Sequence, residues 1–382
     1  MINALSLTGF KCFESLGPIN LSQINLFTGS NGRGKSSVFQ SLLLLSQSLD
    51  KKNGSIDHLE INGDFVKLGT FDDVCNINSK DKSFSINYTT DDSTENSINI
   101  GFKRHPSKDR WADFCSFFVN EKNLIEDASS AEVINDEKPL RTKKAGNNII
   151  GVTSTIAGIR QLLKVYYVSA DRMGPMDYAE KNDNRESNNL GIHGEHTINT
   201  VALLDNREKF IQDICGNMSY IMSGASMRVD TKDADFLKFF LDSVDNSKGF
   251  RPNNVGFGYS YILPVVLTCS IAESNSKIFI ENPEAHLHPG SQSRLMKFII
   301  DSAIKNKHQL FIETHSDHVI NSIRIAVKEK LLDKNSTKIL HFTRESLEQP
   351  KCWEINIDRE GNLSDYPEGF MDEWASQMSK LV

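Results

Sequence analysis

Apolar runs of strand length alternate with runs of helix length along this chain of 382 residues. That alternation predicts an α/β fold with a mainly parallel sheet wrapped by helices. Two stretches carry the prediction. The first is Leu26-Phe27-Thr28-Gly29-Ser30-Asn31-Gly32-Arg33-Gly34-Lys35-Ser36-Ser37, in which Gly29-x-x-x-x-Gly34-Lys35-Ser36 is a phosphate-binding loop pattern. An apolar run from Ile24 precedes it and reads as a buried strand. A leucine-rich helical run over residues 37–49 follows, so the motif stands between the strand and the helix it requires. The second stretch is Ile278-Phe279-Ile280-Glu281, a buried strand that ends in a carboxylate.

The physical case for a P-loop nucleotide site is direct. Glycines let backbone N–H groups turn inward around a phosphate chain. The helix starting near Lys35 aims its positive end at the same anion. Lys35 is expected to reach the β- and γ-phosphates of ATP, and Ser36 to ligate Mg²⁺.

Composition excludes several classes. Net charge is −7, which does not indicate a strongly basic nucleic-acid binder but leaves room for a local basic patch. No apolar run reaches the ~18–20 residues of a membrane span, and the first residues lack a signal-peptide layout. Cys12, Cys75, Cys115, Cys215, Cys269 and Cys352 are scattered without a C-x-x-C pair. They argue for reduced thiols in a cytoplasmic setting and against a cysteine zinc site.

In order, residues 4–13 alternate apolar and polar and read as an edge strand, and residues 18–21 read as a second short strand. Residues 51–55 read as a turn. Residues 83–88, 97–102 and 113–119 are short alternating runs in a polar, β-rich region. Two basic clusters lie there: Lys103, Arg104, His105, Lys108 and Arg110, then Lys138, Arg141, Lys143 and Lys144. Each is either solvated loop charge or a DNA or RNA phosphate contact. Residues 165–168 read as a buried strand, followed by a loop presenting Arg172. That arginine either meets a phosphate or a neighbouring subunit, or holds its loop by pairing with Asp171 or Asp177. Residues 181–194 read as mobile. Helices are expected over residues 200–222, strands over 226–229 and 236–241, a turn over 245–249, and an apolar helix ending near Ile271. After the Glu281 strand come a helix (291–302), a buried strand (309–313), a helix (319–332) and strands at 338–342 and 353–357. Heptads do not persist, so no long coiled-coil arm is expected.

Glu281 is placed to hold Mg²⁺ beside Ser36, and Glu284 to orient or deprotonate the attacking water. His315, ending the next strand, is placed to sense the γ-phosphate. Gly256-x-Gly258-x-Ser260, opening a helix, is a second possible anion site. His286-x-His288 is a weak metal pattern and Thr314-His315-Ser316 a weak hydrolase one. Gln40 and Gln47 read as structural.

The combination resembles the ABC-type ATPases of the SMC, RecF and overcoming-lysogenization-defect (OLD) group. Within it, the chain is most similar to small prokaryotic AAA-family ATPases with Glu281-Asn282-Pro283-Glu284-Ala285-His286-Leu287-His288-Pro289 at Walker B. The tail Tyr366-Pro367-Glu368-Gly369-Phe370-Met371-Asp372-Glu373-Trp374 carries the same resemblance. It implies an ATP-dependent head-to-head dimer with Gly29, Ser30, Asn31, Gly32, Arg33, Gly34, Lys35, Ser36 and Ser37 in Walker A. Glu281 would then be the Walker B acid, Gly256, Gly258 and Ser260 the signature contacting the partner's γ-phosphate, and His315 the switch histidine. Relatives of the Septu and retron kind imply a defence switch working with a separate HNH-type nuclease or toxin. Asn282 departs from the usual Asp-Glu pair and implies slow turnover or use of Glu284. The alternatives are a scaffold that binds ATP with little turnover, an OLD-type nuclease, for which the stretch after Ser316 is short, and a transporter subunit. The expected division is 1–74 (head with Walker A), 75–164 (β-rich insertion), 165–250 (helical or lid region with a hairpin) and 251–382 (signature, Walker B, switch histidine, tail).

Overall fold

The computed structural model describes residues 1–49, 55–56, 58–93, 96–123, 142–145, 148–153, 159, 161–162, 164–182, 190–204, 208–242, 249–345, 348–372 and 377–381. The chain divides into two compact units. Unit 1 holds Met1–Val165, Lys338–Asn356 and Asp365–Val382; unit 2 holds Tyr166–Thr337 and Ile357–Ser364.

The chain opens with β1 (Ile2–Phe10), β2 (Phe13–Asn20) and β3 (Ile24–Gly29), then α1 (Lys35–Gln47), β4 (Ser55–Ile56), β5 (Leu59–Glu60) and the single turn α2 (Phe71–Val74). Next come β6 (Ser83–Thr90), β7 (Ser97–Arg104), β8 (Trp111–Val119), β9 (Lys122–Asn123), β10 (Thr142–Ala145) and β11 (Asn148–Thr153). From β12 (Val165–Val168) the chain runs through β13 (Tyr178–Glu180), α3 (Thr197–Leu204), α4 (Glu208–Ile221), β14 (Ser226–Asp230) and β15 (Phe236–Asp242). The last part is α5 (Phe257–Ile271), β16 (Lys277–Glu281), α6 (Pro289–Asn306), β17 (Gln309–Glu313), α7 (Asp317–Lys328), β18 (Thr337–Thr343) and β19 (Lys351–Ile355).

In unit 1, an antiparallel sheet runs β2-β1-β6-β7-β8-β5, with β9 on β8. This corrects the expectation for β1. It lies between β2 and β6 rather than at an edge, pairing Leu7 with Leu16 on one side and with Ile86 on the other. Alternation reports that one face is buried and is silent about flanking strands. The β-rich stretch after residue 75 therefore extends the sheet that β1 and β2 open. Antiparallel pairing dominates here because these strands follow one another through short connections. Phenylalanines line the buried face: Phe10 and Phe102 each lie 5.3 Å from Phe84 between ring centroids. Behind the phosphate loop, Phe27 meets Phe39 of α1 edge-on at 4.9 Å and stacks with Phe342 of β18 at 6.2 Å. Leu42, Leu43, Leu44 and Leu45 are all buried, so α1 is enclosed on every side, as a helix apolar all round must be. Gln47 is structural as expected: its side chain donates to the Glu60 and Val66 carbonyls. Gln40 accepts from Lys11.

The first basic cluster is largely engaged locally. Arg104 pairs with Asp72 and Asp109, and the Lys108 ammonium lies 3.2 Å from the centre of the Trp111 ring. Solvated, locally neutralised charge describes it better than a phosphate track. In the second cluster, Lys138 and Arg141 lie outside the described residues. So do most of the turns expected at 51–55 and 245–249, and residues 183–189 of the stretch read as mobile.

In unit 2, β16 and β17 pair in parallel, Glu281 opposite Glu313. The Phe279 and Phe311 rings stack 4.4 Å apart. A small antiparallel sheet, β13-β15-β14, stands with α3 and α4. Of β12, only Val168 is fully buried, which corrects the buried-strand reading of Tyr166 and Tyr167. The α/β fold class expected from the sequence is the fold of the protein, with the parallel pair β16–β17 carrying the acidic strand end.

Candidate functional site: a phosphate loop and an acidic strand end

The phosphate loop belongs to unit 1. Gly29, Gly32 and Gly34 have φ of 121°, 73° and 100°, in the region open to glycine. A Cβ on Gly29 would collide with the Phe342 carbonyl oxygen, and one on Gly34 with the Phe13 ring. Gly34 precedes the first turn of α1, which carries no acidic residue, so no carboxylate there opposes the attraction of the helix dipole for an anion. The Lys35 side chain folds back over the loop and donates to the Gly29 carbonyl at 2.7 Å and the Ser30 carbonyl at 3.0 Å. Ser30, Asn31 and Gly32 are exposed and Arg33 half-buried. Ser36 lies in the first turn of α1, and Ser37 is buried beside Cys12.

The acidic strand end belongs to unit 2. Glu281 closes β16. Its Oε1 accepts from the Tyr167 hydroxyl at 2.9 Å and its Oε2 from the Ala170 amide at 3.0 Å. Burial first, then the Glu281 charge, pushes the Tyr167 phenol up, which keeps it a proton donor to that carboxylate. Asn282 follows with φ 43°, and its buried side-chain oxygen has no partner among the described residues. Glu284 Oε1 accepts from the His315 amide at 2.9 Å. Glu284, expected to orient or deprotonate the attacking water, is thus joined to the backbone of the expected switch histidine, and His315 is exposed.

Arg172 corrects its sequence reading. It is 2% exposed, so it neither presents itself to a partner surface nor pairs with Asp171 or Asp177. Its Nη2 donates to the Glu281 carbonyl at 3.1 Å and also to the Asn282 carbonyl. Burial lowers its pKa to about 10, opposed first by the Glu284 charge, so it remains cationic at neutral pH. A loop arginine reads as exposed because sequence carries no trace of the strand end it folds under.

Gly256 caps α5 with φ −61° and has open space around it, whereas a Cβ on Gly258 would lie 2.8 Å from the His286 carbonyl oxygen. The Ser260 hydroxyl is buried without a partner among the described residues. Of the three signature candidates, Gly256 therefore offers the open surface, and Gly258 is held by packing. Gly258→Ala should lower stability by about 1–3 kcal/mol, since a carbonyl must shift to admit the methyl group. Gly256→Ala should fall within about 1 kcal/mol of the parent. Urea midpoints check this, and equal midpoints for the two would refute the close approach.

His288 accepts from the Gly290 amide as the cap of α6, and His286 packs its ring 4.4 Å from Tyr261. Among the described residues no cluster of three or more His, Cys, Asp or Glu side chains could hold a metal ion. Ser316 caps α7 and donates to Gln292, so it is committed to a helix terminus rather than to a nucleophile's position. Taken singly, the Ser36 hydroxyl and the Glu281 carboxylate are each hard oxygen donors of the kind Mg²⁺ takes, and each Glu281 oxygen keeps lone pairs beyond its single donor.

Strand, glycine loop and helix in this order make a P-loop arrangement, and the fold around it is that of solved SMC head structures. The chain is similar to the crystal structure of the SmcHead bound to the C-winged helix domain of ScpA (15% identity, 94% of this chain and 98% of that one, TM-score 0.53). It is also similar to the Smc head domain with an extended coiled coil bound to the C-terminal domain of ScpA, from Pyrococcus furiosus (13% identity, 100% of this chain and 99% of that one, TM-score 0.52). The chain belongs to the family described as "AAA domain, putative AbiEii toxin, Type IV TA system", whose model matches residues 24–321. Residues 332–381 match a family of unknown function, DUF3696. No curated protein matches the sequence. No helix among the described residues is long and apolar enough to cross a membrane.

Proposed function

We propose that the protein binds ATP with Mg²⁺ and hydrolyses it as a nucleotide-gated switch subunit of a prokaryotic DNA-related or anti-phage defence system. It acts in the cytoplasm as a head-to-head homodimer that signals to a separate effector, an HNH-type nuclease or a toxin. DNA or RNA is a candidate trigger. The observation that carries the reading is the phosphate loop, with three glycines at positive φ and the Lys35 side chain folded over it. The AbiEii toxin description of the family supports the defence assignment.

In this reading the loop amides and Lys35 bind the phosphates, and Ser36 and Glu281 would hold Mg²⁺. Bound Mg²⁺ would offset the charge developing on the phosphates. Tyr167 and the Ala170 amide orient the Glu281 carboxylate. Glu284 is the group able to take a proton, since Asn282 orients water but cannot deprotonate it. Gly256 marks the surface offered to the partner's nucleotide. The Asn282 side-chain oxygen, buried and unpartnered among the described residues, favours a second reading: a scaffold that binds ATP and turns it over slowly. Steady-state phosphate release tests both. Glu281→Gln should lower turnover at least ~10-fold with nucleotide affinity changed less. Full turnover in that variant refutes the Walker B role, and tight binding without turnover in the parent selects the scaffold.

A further inference from the structure

The stretch 332–381, matched to a family of unknown function, supplies two contacts to the phosphate loop. All the groups involved belong to unit 1. The first contact is the packing of Gly29 on the Phe342 carbonyl of β18. The second is a hydrogen bond of 2.9 Å between the Thr28 hydroxyl and His341 Nδ1. Thr28 is the residue immediately before the loop, and both side chains are buried.

His341 has further partners. Its ring meets Phe370 edge-on at 5.0 Å, and the Glu368 backbone favours its charged form. Burial lowers its pKa and the nearby Lys35 charge adds to that, against the Glu368 backbone and the Asp372 charge. The imidazole is therefore neutral at pH 7, and one nitrogen donates while the other accepts. Glu368 and Phe370 belong to a turn over residues 366–372, in which the Phe370 amide donates to the Pro367 carbonyl and the Gly369 amide to Asp372. Within this turn Phe370 alone is buried, at 2% exposure. One ring and one histidine thus seat the turn. A segment with so few buried contacts opens locally more readily than the strands around it.

We propose that residues 366–372 form a sensor of the nucleotide loop, read through His341, so that nucleotide binding and seating of this turn strengthen each other. The inference rests on the assignment of residues 29–36 as the nucleotide site. A nucleotide that orders the loop fixes Thr28, and Thr28 fixes the ring on which Phe370 and Glu368 rest. Reciprocity then requires that unseating the turn weaken nucleotide binding by the same factor. His341 acts here as a positioning residue, not a catalytic one. The turn leaves Tyr366 and Glu368 exposed, within reach of any protein that would use this coupling to read the nucleotide state.

The test is hydrogen–deuterium exchange on the full chain with and without Mg-ATP, alongside nucleotide affinity by fluorescence titration. In the parent, Mg-ATP should slow exchange at Gly369 and Phe370 at least threefold. Phe370→Ala should weaken nucleotide binding at least threefold while melting still shows a folded protein. His341→Phe keeps a ring against Phe370 but loses the hydrogen bond to Thr28; it should still bind nucleotide, with the exchange protection of the turn lost. Lys35→Ala separates the two levels. If Lys35→Ala binds like the parent, the nucleotide assignment has failed. If the parent binds, Lys35→Ala does not, and exchange in the turn is the same with and without Mg-ATP, the sensor is refuted and the site stands. Undiminished protection in His341→Phe would refute His341 as the link.

Discussion

Lys35→Ala should abolish nucleotide binding in practice, weakening it by at least ~100-fold, or about 2.7 kcal/mol. The ammonium is buried within the loop and held by the Gly29 and Ser30 carbonyls, so it is positioned before any phosphate arrives and little ordering remains at binding. A charged donor to phosphate is among the stronger polar contacts available, and alanine leaves two loop carbonyls without their donor as well. The loss of those two bonds costs about 1–3 kcal/mol of stability, so melting must accompany the titration. A folded Lys35→Ala protein that binds nucleotide at parental affinity would remove the phosphate loop from the site. Lys35→Arg keeps the charge but not the compact head that fits between the two carbonyls, and should fall between the parent and alanine.

The second large effect is on stability in mild acid. The His308 ring is fully buried just before β17, and neither ring nitrogen has a partner among the described residues. Burial depresses its pKa from 6.5 to about 4. The unfolded chain therefore takes up a proton on this ring below pH 6.5 while the folded chain does not, so folded stability falls as pH drops. The loss is about 2 kcal/mol by pH 5 and approaches about 3 kcal/mol near pH 4. His341, also depressed by burial, contributes with the same sign. His308→Leu should flatten most of the difference in urea stability between pH 7 and pH 5. An unchanged difference in that variant would place the acid sensitivity elsewhere.

What could be read from sequence was local. The phosphate loop is legible because its chemistry is written in eight consecutive residues, and β16 and β17 are legible because strands buried on both faces are continuous apolar runs. The position of β1, the burial of Arg172 and the inward hydroxyl of Ser260 were not legible. The first two are decided by neighbours far away in sequence: β6 beside β1, the Glu281 and Asn282 carbonyls over Arg172. The Thr28–His341 bond joins residues 313 apart, and no spacing rule reaches that far. Gly258 was read as a signature contact from its pattern and from the family resemblance, and its close approach to the His286 carbonyl adds a packing reason for glycine there.

The order in which the chain leaves the ribosome adds a constraint. The nucleotide loop is made early, but its floor at Phe342 and its brace at His341 are translated 313 positions later. At ordinary elongation rates that gap is roughly 15–60 s. Until then β3 waits with the side it will give to β18 uncovered, while unit 2 is almost continuous in sequence and lacks only Ile357–Ser364. A nascent chain therefore passes through a period in which its loop exists without its support. Contacts of such long range also slow folding once synthesis ends. On the function proposed above, a nucleotide would meet a finished loop only after the C-terminal strands have closed beneath it.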